Sequence, residues 1–353
     1  MRLSKVLSLL PIVVLLGACS DGGNSTATET PEPTIGLSTI PPSVAPPSTI
    51  PPSTELATTT TIPEIVYPLT GLPVNGNALA ARPALVAKVD NAPGAIPQTG
   101  FNAADIVYEE IVNDGITRFA MVFQSTDSDP VGPVRSGRLQ DVDLFGSLNG
   151  PLFVWSGGNA SVTTAINASD LINLGPNFAA VYFRSNTKTA PHNLYTKTSE
   201  VYTFAPPESQ PPAQQFQYRS AAEAVAGTPS PGVKIDMDNY AIDWAWNAGT
   251  GLYERNQEGK VHKDAATSSV VTTNNVVVLA MVYKRGSGSP DAQSIGTGEA
   301  FVFTGGNFVH GTWTRSDRLQ PFTLTDDSGA PIKLTPGRTF IELPRVDQTV
   351  PGA

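Results

Sequence analysis

The stretch Gly132-Pro133-Val134-Arg135-Ser136-Gly137-Arg138 holds two guanidinium groups among turn-forming residues. It leads into residues 137–148, whose pattern predicts a helix with Ser136 as N-cap, its hydroxyl accepting from a free backbone N–H. The start of a helix carries partial positive charge, so cations there oppose helix stability. Arg135 and Arg138 are explained if an anion lies between them, or if they pair with internal carboxylates such as Asp105, Asp141 or Asp143. Sequence leaves both readings open.

Ser156-Gly157-Gly158-Asn159 falls between a predicted strand and a predicted helix. It reads as an anion nest of backbone N–H groups or as a close-packed turn. It has neither the spacing and lysine of a P-loop nor the order of a nucleophile elbow. Ala190-Pro191-His192-Asn193-Leu194-Tyr195 holds one of three histidines. His192 suits an acid/base or ligand-orienting role, or a structural one bonded to backbone. His262 and His310 are remote in sequence, so no metal signature arises and no cofactor is expected. Ser136 or Ser156 with His192 and Asp105 would supply the residue types of a triad, whose geometry sequence cannot test.

These residues need a scaffold. Residues 82–91 read as a strand entering a polar turn, and 105–112 and 116–124 as a hairpin around Asn113-Asp114-Gly115. With Asp114-Gly115 as the two turn residues, Ile111 faces Arg118 and Glu109 faces Ala120. Glu109 and Arg118 then share a face as diagonal neighbours, and an ion pair accounts for them more simply than catalysis. Residues 152–155 and 181–184 follow as strands. Residues 160–166 are predicted helical, and a further helix opens at Thr196 or Thr198 and runs through about residue 204. Interleaved strands and helices give an α/β domain over 65–208. Beyond the proline-rich 206–212 come short apolar stretches at 241–246, 252–255, 276–283, 300–303, 313–315, 332–334 and 340–343. Turns separate them, so 209–353 is expected to be a mostly β domain, and the fold class α+β.

The chain has 353 residues with 22 Lys+Arg against 31 Asp+Glu, a net charge of −9 and no basic run, which argues against nucleic-acid binding. It is 40% apolar, enough for a real core, yet carries 32 prolines, unevenly placed. The single cysteine, Cys19, excludes a disulfide framework. It follows Arg2 and Lys5 and the apolar run 6–16, which is interrupted by Ser8 and Pro11 and ends in Leu16-Gly17-Ala18. That is a secretory signal, too short to span a bilayer that needs ~20 helical residues. The ending resembles the lipobox of bacterial lipoproteins. Residues 1–18 are thus expected to be removed and Cys19 to carry lipid, palmitate included, that tethers the chain to the extracytoplasmic face of the cell membrane. Residues 19–64 are rich in Pro, Thr and Ser, and repeat Ser-Thr-Ile-Pro-Pro-Ser at 38–43 and 48–53. They read as a disordered stalk.

Several of these segments together resemble the YerB-like family of bacterial lipoproteins, a two-part family of unknown function. They are Arg82-Pro83 with Asp90-Asn91, Pro97-Gln98-Thr99-Gly100, Ala104-Asp105-Ile106-Val107-Tyr108-Glu109 and Gly115-Ile116-Thr117-Arg118-Phe119. The likeness continues through Gly132-Pro133-Val134-Arg135-Ser136 with Arg138, Ser156-Gly157-Gly158 and Ala190 to Tyr195. In the second part it takes in Asn275-Val276-Val277-Val278, Gly311-Thr312-Trp313 and Pro336 to Phe340. It covers roughly 67–345, and Asp114 departs from the glycine the family motif favours while still serving a turn. The resemblance implies a two-part architecture and a lipoprotein context, and brings no reaction.

The reading that follows is a tethered envelope protein binding a polar or anionic envelope ligand, wall-derived, or a protein partner. Asp105, Arg118, Arg135 and Arg138 would line its cleft, with Arg184, His192 and Asn193. Glu109, Ser136, Gly157 and Gly158 complete the candidate set. The alternative is a cell-wall hydrolase with His192 or Glu109 as acid/base. A third role, docking through Trp244, Trp246 and Trp313, competes with their use as core.

Overall fold

The run Leu85-Val86-Ala87-Lys88-Val89-Asp90 is buried at every position, the mark of a strand covered on both faces. By contrast Tyr240–Asn247 alternates, with Tyr240, Ile242 and Trp244 inward, as in a sheet covered on one face. These two patterns define the layers of the computed structural model, which describes residues 65–286, 288–346 and 348–351. The signal segment, Cys19 and the stalk expected over 1–64 lie outside the described residues.

In chain order the principal strands are β1 (Leu85–Asp90), β2 (Ile106–Ile111), β3 (Thr117–Phe123), β4 (Leu152–Val154) and β5 (Ile172–Asn173). The second half supplies β6 (Gly232–Met237), β7 (Tyr240–Asn247), β8 (Leu252–Gln257), β9 (Asn275–Leu279) and β10 (Gly296–Thr304). It continues with β11 (Asn307–Arg315), β12 (Thr323–Asp326), β13 (Thr339–Leu343) and β14 (Thr349–Pro351). Helices are short: α1 (Gln140–Leu144), α2 (Ala160–Asn167) and α3 (Thr198–Tyr202). Of the three, only α2 has a side-chain cap, Asn159 accepting from the Val162 N–H at 3.0 Å. The long helix expected over 137–148 contracts to α1 and a 3-10 turn at Gly146–Leu148. The described fold is mostly sheet.

The central sheet has the order β12-β11-β10-β9-β13-β2-β3-β1-β4-β5, so strands from both halves of the sequence interleave. β1 and β2 both run antiparallel to β3, while β4, β5, β9 and β13 lie parallel to them, directly or in turn. Their carboxyl ends therefore share one edge. One face packs Ile106, Tyr108, Phe145, Phe153 and Trp155 under α1 and α2. The other packs Val107, Phe119 and Phe340 against the smaller sheet of β6, β7 and β8, which contributes Trp244 and Tyr253.

A polar clamp joins those two sheets. Glu109 and Glu342 are register neighbours on β2 and β13. Arg255 of β8 forms an ion pair with Glu109 and reaches Glu342 at 3.9 Å, all three fully buried. Arg255 also donates to His262 Nδ1 at 2.6 Å, so the other ring nitrogen carries the proton and donates to Gln98 Oε1 at 2.8 Å. Burial, with Arg255 beside it, holds His262 well below the usual histidine value. Gln98 then donates to the Asp90 carbonyl at 3.0 Å, fixing the end of β1.

Candidate functional site at the carboxyl ends of the central strands

The two-residue period of a strand sends Lys88 and Asp90 of β1, Glu110 of β2 and Arg118 of β3 to the helix-covered face. Arg118 stands in register with Asp90 on one side and Glu110 on the other. Neither carboxylate forms an ion pair with it. Asp90 Oδ2 meets His192 Nδ1 at 2.7 Å and Arg135 Nε at 3.2 Å, and its Oδ1 accepts from the Ala92 N–H at 3.1 Å. Glu110 pairs with Lys88 and accepts from the Gln140 amide, while Lys88 Nζ also lies 2.9 Å from Asp141. Arg118 is 5% exposed. It donates from Nη1 to the Ser136 carbonyl at 3.2 Å, and its Nε has no hydrogen-bond partner among the described residues.

Backbone pairing brings the arginine-rich segment to this point. The Asp90 N–H donates to Pro133 O and the Arg135 N–H to Lys88 O, at 2.9 and 2.8 Å. On its other side Ser156 N–H donates to Arg135 O and Gly137 N–H to Gly157 O, at 3.0 and 2.9 Å. Gly157 is required for its φ of +149° rather than for space, since a Cβ there would come no nearer than 3.9 Å to Ser136 Oγ. Gly158 is close-packed instead, its Cβ position lying 2.9 Å from Val162.

Ser136 does not cap the helix. α1 begins later, and Asp141 closes its first turn by accepting the Arg138 N–H at 2.7 Å. The Arg138 side chain donates to Ser289 Oγ at 3.1 Å, to Gly137 O at 2.8 Å and to Asn113 Oδ1, none of them a carboxylate. Lys88, Arg118, Arg135 and Arg138 thus face Asp90, Glu110 and Asp141, an excess of positive charge even with His192 neutral. Burial pushes Lys88 down to about 8. Burial first, and then Arg138, pushes Arg118 down to about 9, against the opposing pull of Asp90.

Other expected site residues stand elsewhere. Asp105 is at the far end of β2, where it accepts from the Gln124 and Ser125 N–H groups at 2.6 and 2.8 Å and secures the loop after β3. Burial raises its carboxyl above the ordinary value. Glu109 points to the opposite face, into the clamp. The expected two-residue turn is replaced by a longer loop with a 3-10 turn at Asn113–Gly115, so Glu110, not Ile111, stands opposite Arg118, and Phe119, not Ala120, opposite Glu109. The foreseen Glu109–Arg118 pair therefore does not form. Arg184 is exposed and donates to Asn193 Oδ1 at 2.7 Å. Both brace the hairpin of Phe183–Arg184 with Leu194–Tyr195 that carries His192. Trp244 and Trp313 are core. Among the described residues no group of three or more His, Cys, Asp or Glu could hold a metal ion.

Residues 69–210 match the family described as "Protein of unknown function (DUF3048) N-terminal domain", and 233–341 match its C-terminal domain. The chain belongs to the DUF3048 family. A relative from Bacillus subtilis (strain 168), named "Putative lipoprotein YerB", is 28% identical over 305 residues, covering 81% of this chain and 88% of the relative. The crystal structure of YerB from Bacillus subtilis superposes with a TM-score of 0.73 at 24% identity, covering 81% of this chain and 99% of that one. That likeness shows a shared fold. The DUF3048 N-terminal region supplies Lys88, Asp90, Glu110, Arg118, Arg135, Arg138, Asp141 and His192, so the whole cluster lies within it.

Of these, Lys88, Asp90 and Glu110 escaped the sequence reading as members of the cluster, while Asp141 was among the carboxylates expected near the arginines. The available signal was two charges, Lys88 and Asp90, at alternate positions of an otherwise apolar strand. Side chains two apart share a face, so a buried face bearing both required partners.

Proposed function

We propose that this DUF3048 protein is a tethered envelope lipoprotein that binds a phosphate-bearing envelope component at Arg118, Arg135 and Arg138. The observation that carries the reading is Arg118: a buried guanidinium whose two register neighbours are carboxylates already engaged by other cations. A buried charge without a counter-charge is costly, and a bound oxyanion would supply one. Three guanidinium groups suit the several oxygens of a tetrahedral anion better than the two of a carboxylate. The location supports the reading too, since ligands of open sheets with parallel strands gather outside the strand carboxyl ends. The tether rests on the sequence before Cys19 and on the name of the Bacillus relative.

The test is thermal unfolding of the full chain in detergent, titrated with inorganic phosphate, sulfate, acetate, a poly(glycerol phosphate) and phosphatidylglycerol vesicles. A ligand at 100 times its dissociation constant stabilises by about 2.7 kcal/mol. Phosphate and sulfate are expected to raise the midpoint and acetate to leave it unchanged, with the effect weakening as salt rises. The polymer and vesicle arms separate a wall source of the phosphate from a lipid headgroup. A flat response to every oxyanion would refute the reading. For the tether, palmitate labelling should be lost in Cys19→Ser, with the protein released to the medium.

A further inference from the structure

We infer that Asp90 and His192 form an acid–base pair that hydrolyses a phosphodiester held by the three arginines. The inference rests on the binding reading above and adds a reaction to it. Asp90 is 1% exposed, and its Oδ2 is shared by His192 Nδ1 and Arg135 Nε. Imidazole and guanidinium therefore sit side by side on one oxygen atom. A neutral ring that donates from Nδ1 to this carboxylate keeps its lone pair on Nε2. Nε2 makes no hydrogen bond among the described residues, and the side chain is 21% exposed. Nε2 borders Gly94, whose Cβ position would lie 3.2 Å from it.

One backbone hydrogen bond and one close-packed glycine position this residue. The His192 N–H donates to Thr189 O at 2.9 Å, and Gly94 leaves room for the ring, since a Cβ there would lie 2.8 Å from Cδ2. The carboxylate orients the imidazole and stabilises the imidazolium that forms, the arrangement a general base requires.

In the step, Nε2 takes a proton from water as the water oxygen bonds to phosphorus. The bond from phosphorus to the leaving oxygen breaks, that oxygen keeps the electron pair, and solvent protonates it to the alcohol. The phosphomonoester remains on the arginines, which neutralise its oxygens, and the imidazolium returns its proton to solvent.

The experiment uses the full chain with bis(4-nitrophenyl) phosphate and a poly(glycerol phosphate), following turnover and, separately, phosphate-induced thermal stabilisation. The expected result is turnover of at least one diester. His192→Gln should lower kcat by about 100-fold or more with a much smaller change in KM. Gly94→Ala, which pushes the ring aside while leaving its nitrogens intact, should lower kcat in part. Asp105→Asn, remote from the cluster, should retain turnover. Phosphate binding without turnover of either diester would overturn the inference and leave the binding reading standing. Equal turnover in the parent and His192→Gln would overturn it as well. Absence of phosphate binding would remove the binding reading, and the inference with it.

Discussion

Glu110 and Arg118 are direct neighbours across β2 and β3, yet Glu110 pairs with Lys88 while Arg118 turns to the Ser136 carbonyl. An opposite charge stands in register, and the fold spends it elsewhere. Arg118 consequently adds little to the stability of the unliganded protein. Arg118→Met should unfold in urea within about 1 kcal/mol of the parent, or above it, when oxyanions are absent. A loss of several kcal/mol would mean that the guanidinium is internally paired after all.

Lys88 has the opposite character. It stands between Glu110 and Asp141, both fully buried, and Lys88→Met strands two carboxylates. Denaturant unfolding should show a loss of about 3–5 kcal/mol. The sign with pH also follows. Burial lowers the folded value to about 8 from 10.5, so between those values the unfolded chain binds the extra proton. The contribution of Lys88 to stability therefore rises with pH from about 8 to 10.5 and is flat below 8, where both states hold the proton, a slope the variant should lack.

The clamp between the sheets gives a second pH test. Burial first, and then Glu109 beside it, raises Glu342 well above the ordinary carboxylate value. Below 4.5 both states hold the proton. Above it the folded state holds one that the unfolded state has lost, so each pH unit in the window weakens the parent by about 1.4 kcal/mol. Glu342→Gln keeps an acceptor for Trp244 and should be the more stable protein near pH 8, with the difference closing toward pH 4.5. Unfolding curves at the two pH values check this, and an identical pH slope in both proteins would contradict it.

Asp105 separates structure from site. Asp105→Asn weakens the bonds to Gln124 and Ser125 and should lower stability by about 1–3 kcal/mol, measured by denaturant unfolding. Its response to phosphate should equal the parent's.

Much of this arrangement was legible in the sequence. The glycine- and arginine-rich 132–138 segment, the Ser156-Gly157-Gly158 turn and His192, each singled out by residue type, lie together at one end of the central sheet. The strands of the second half were visible because Val276, Val277 and Val278, or Tyr240, Ile242 and Trp244, carry the burial pattern of a covered strand. What stayed hidden depends on register and on distance along the chain. One extra loop residue at 112–116 inverts the face of Glu109, because side chains alternate, and a two-residue turn was the simpler expectation. The partner of Glu109 is Arg255, which local pattern could not supply. Nor could it show that β13 enters the sheet beside β2 and brings Glu342 to Glu109. The α1 boundary moved because Asp141, within the helix, closes its first turn in place of Ser136.

The decisive measurement asks whether Arg118, Arg135 and Arg138 bind an oxyanion together. It is calorimetric titration of inorganic phosphate, at low salt, into the parent, Arg118→Met and Asp105→Asn. Saturable binding is expected for the parent and for Asp105→Asn, and none for a folded Arg118→Met. Equal binding by Arg118→Met, or no binding by the parent, would contradict it.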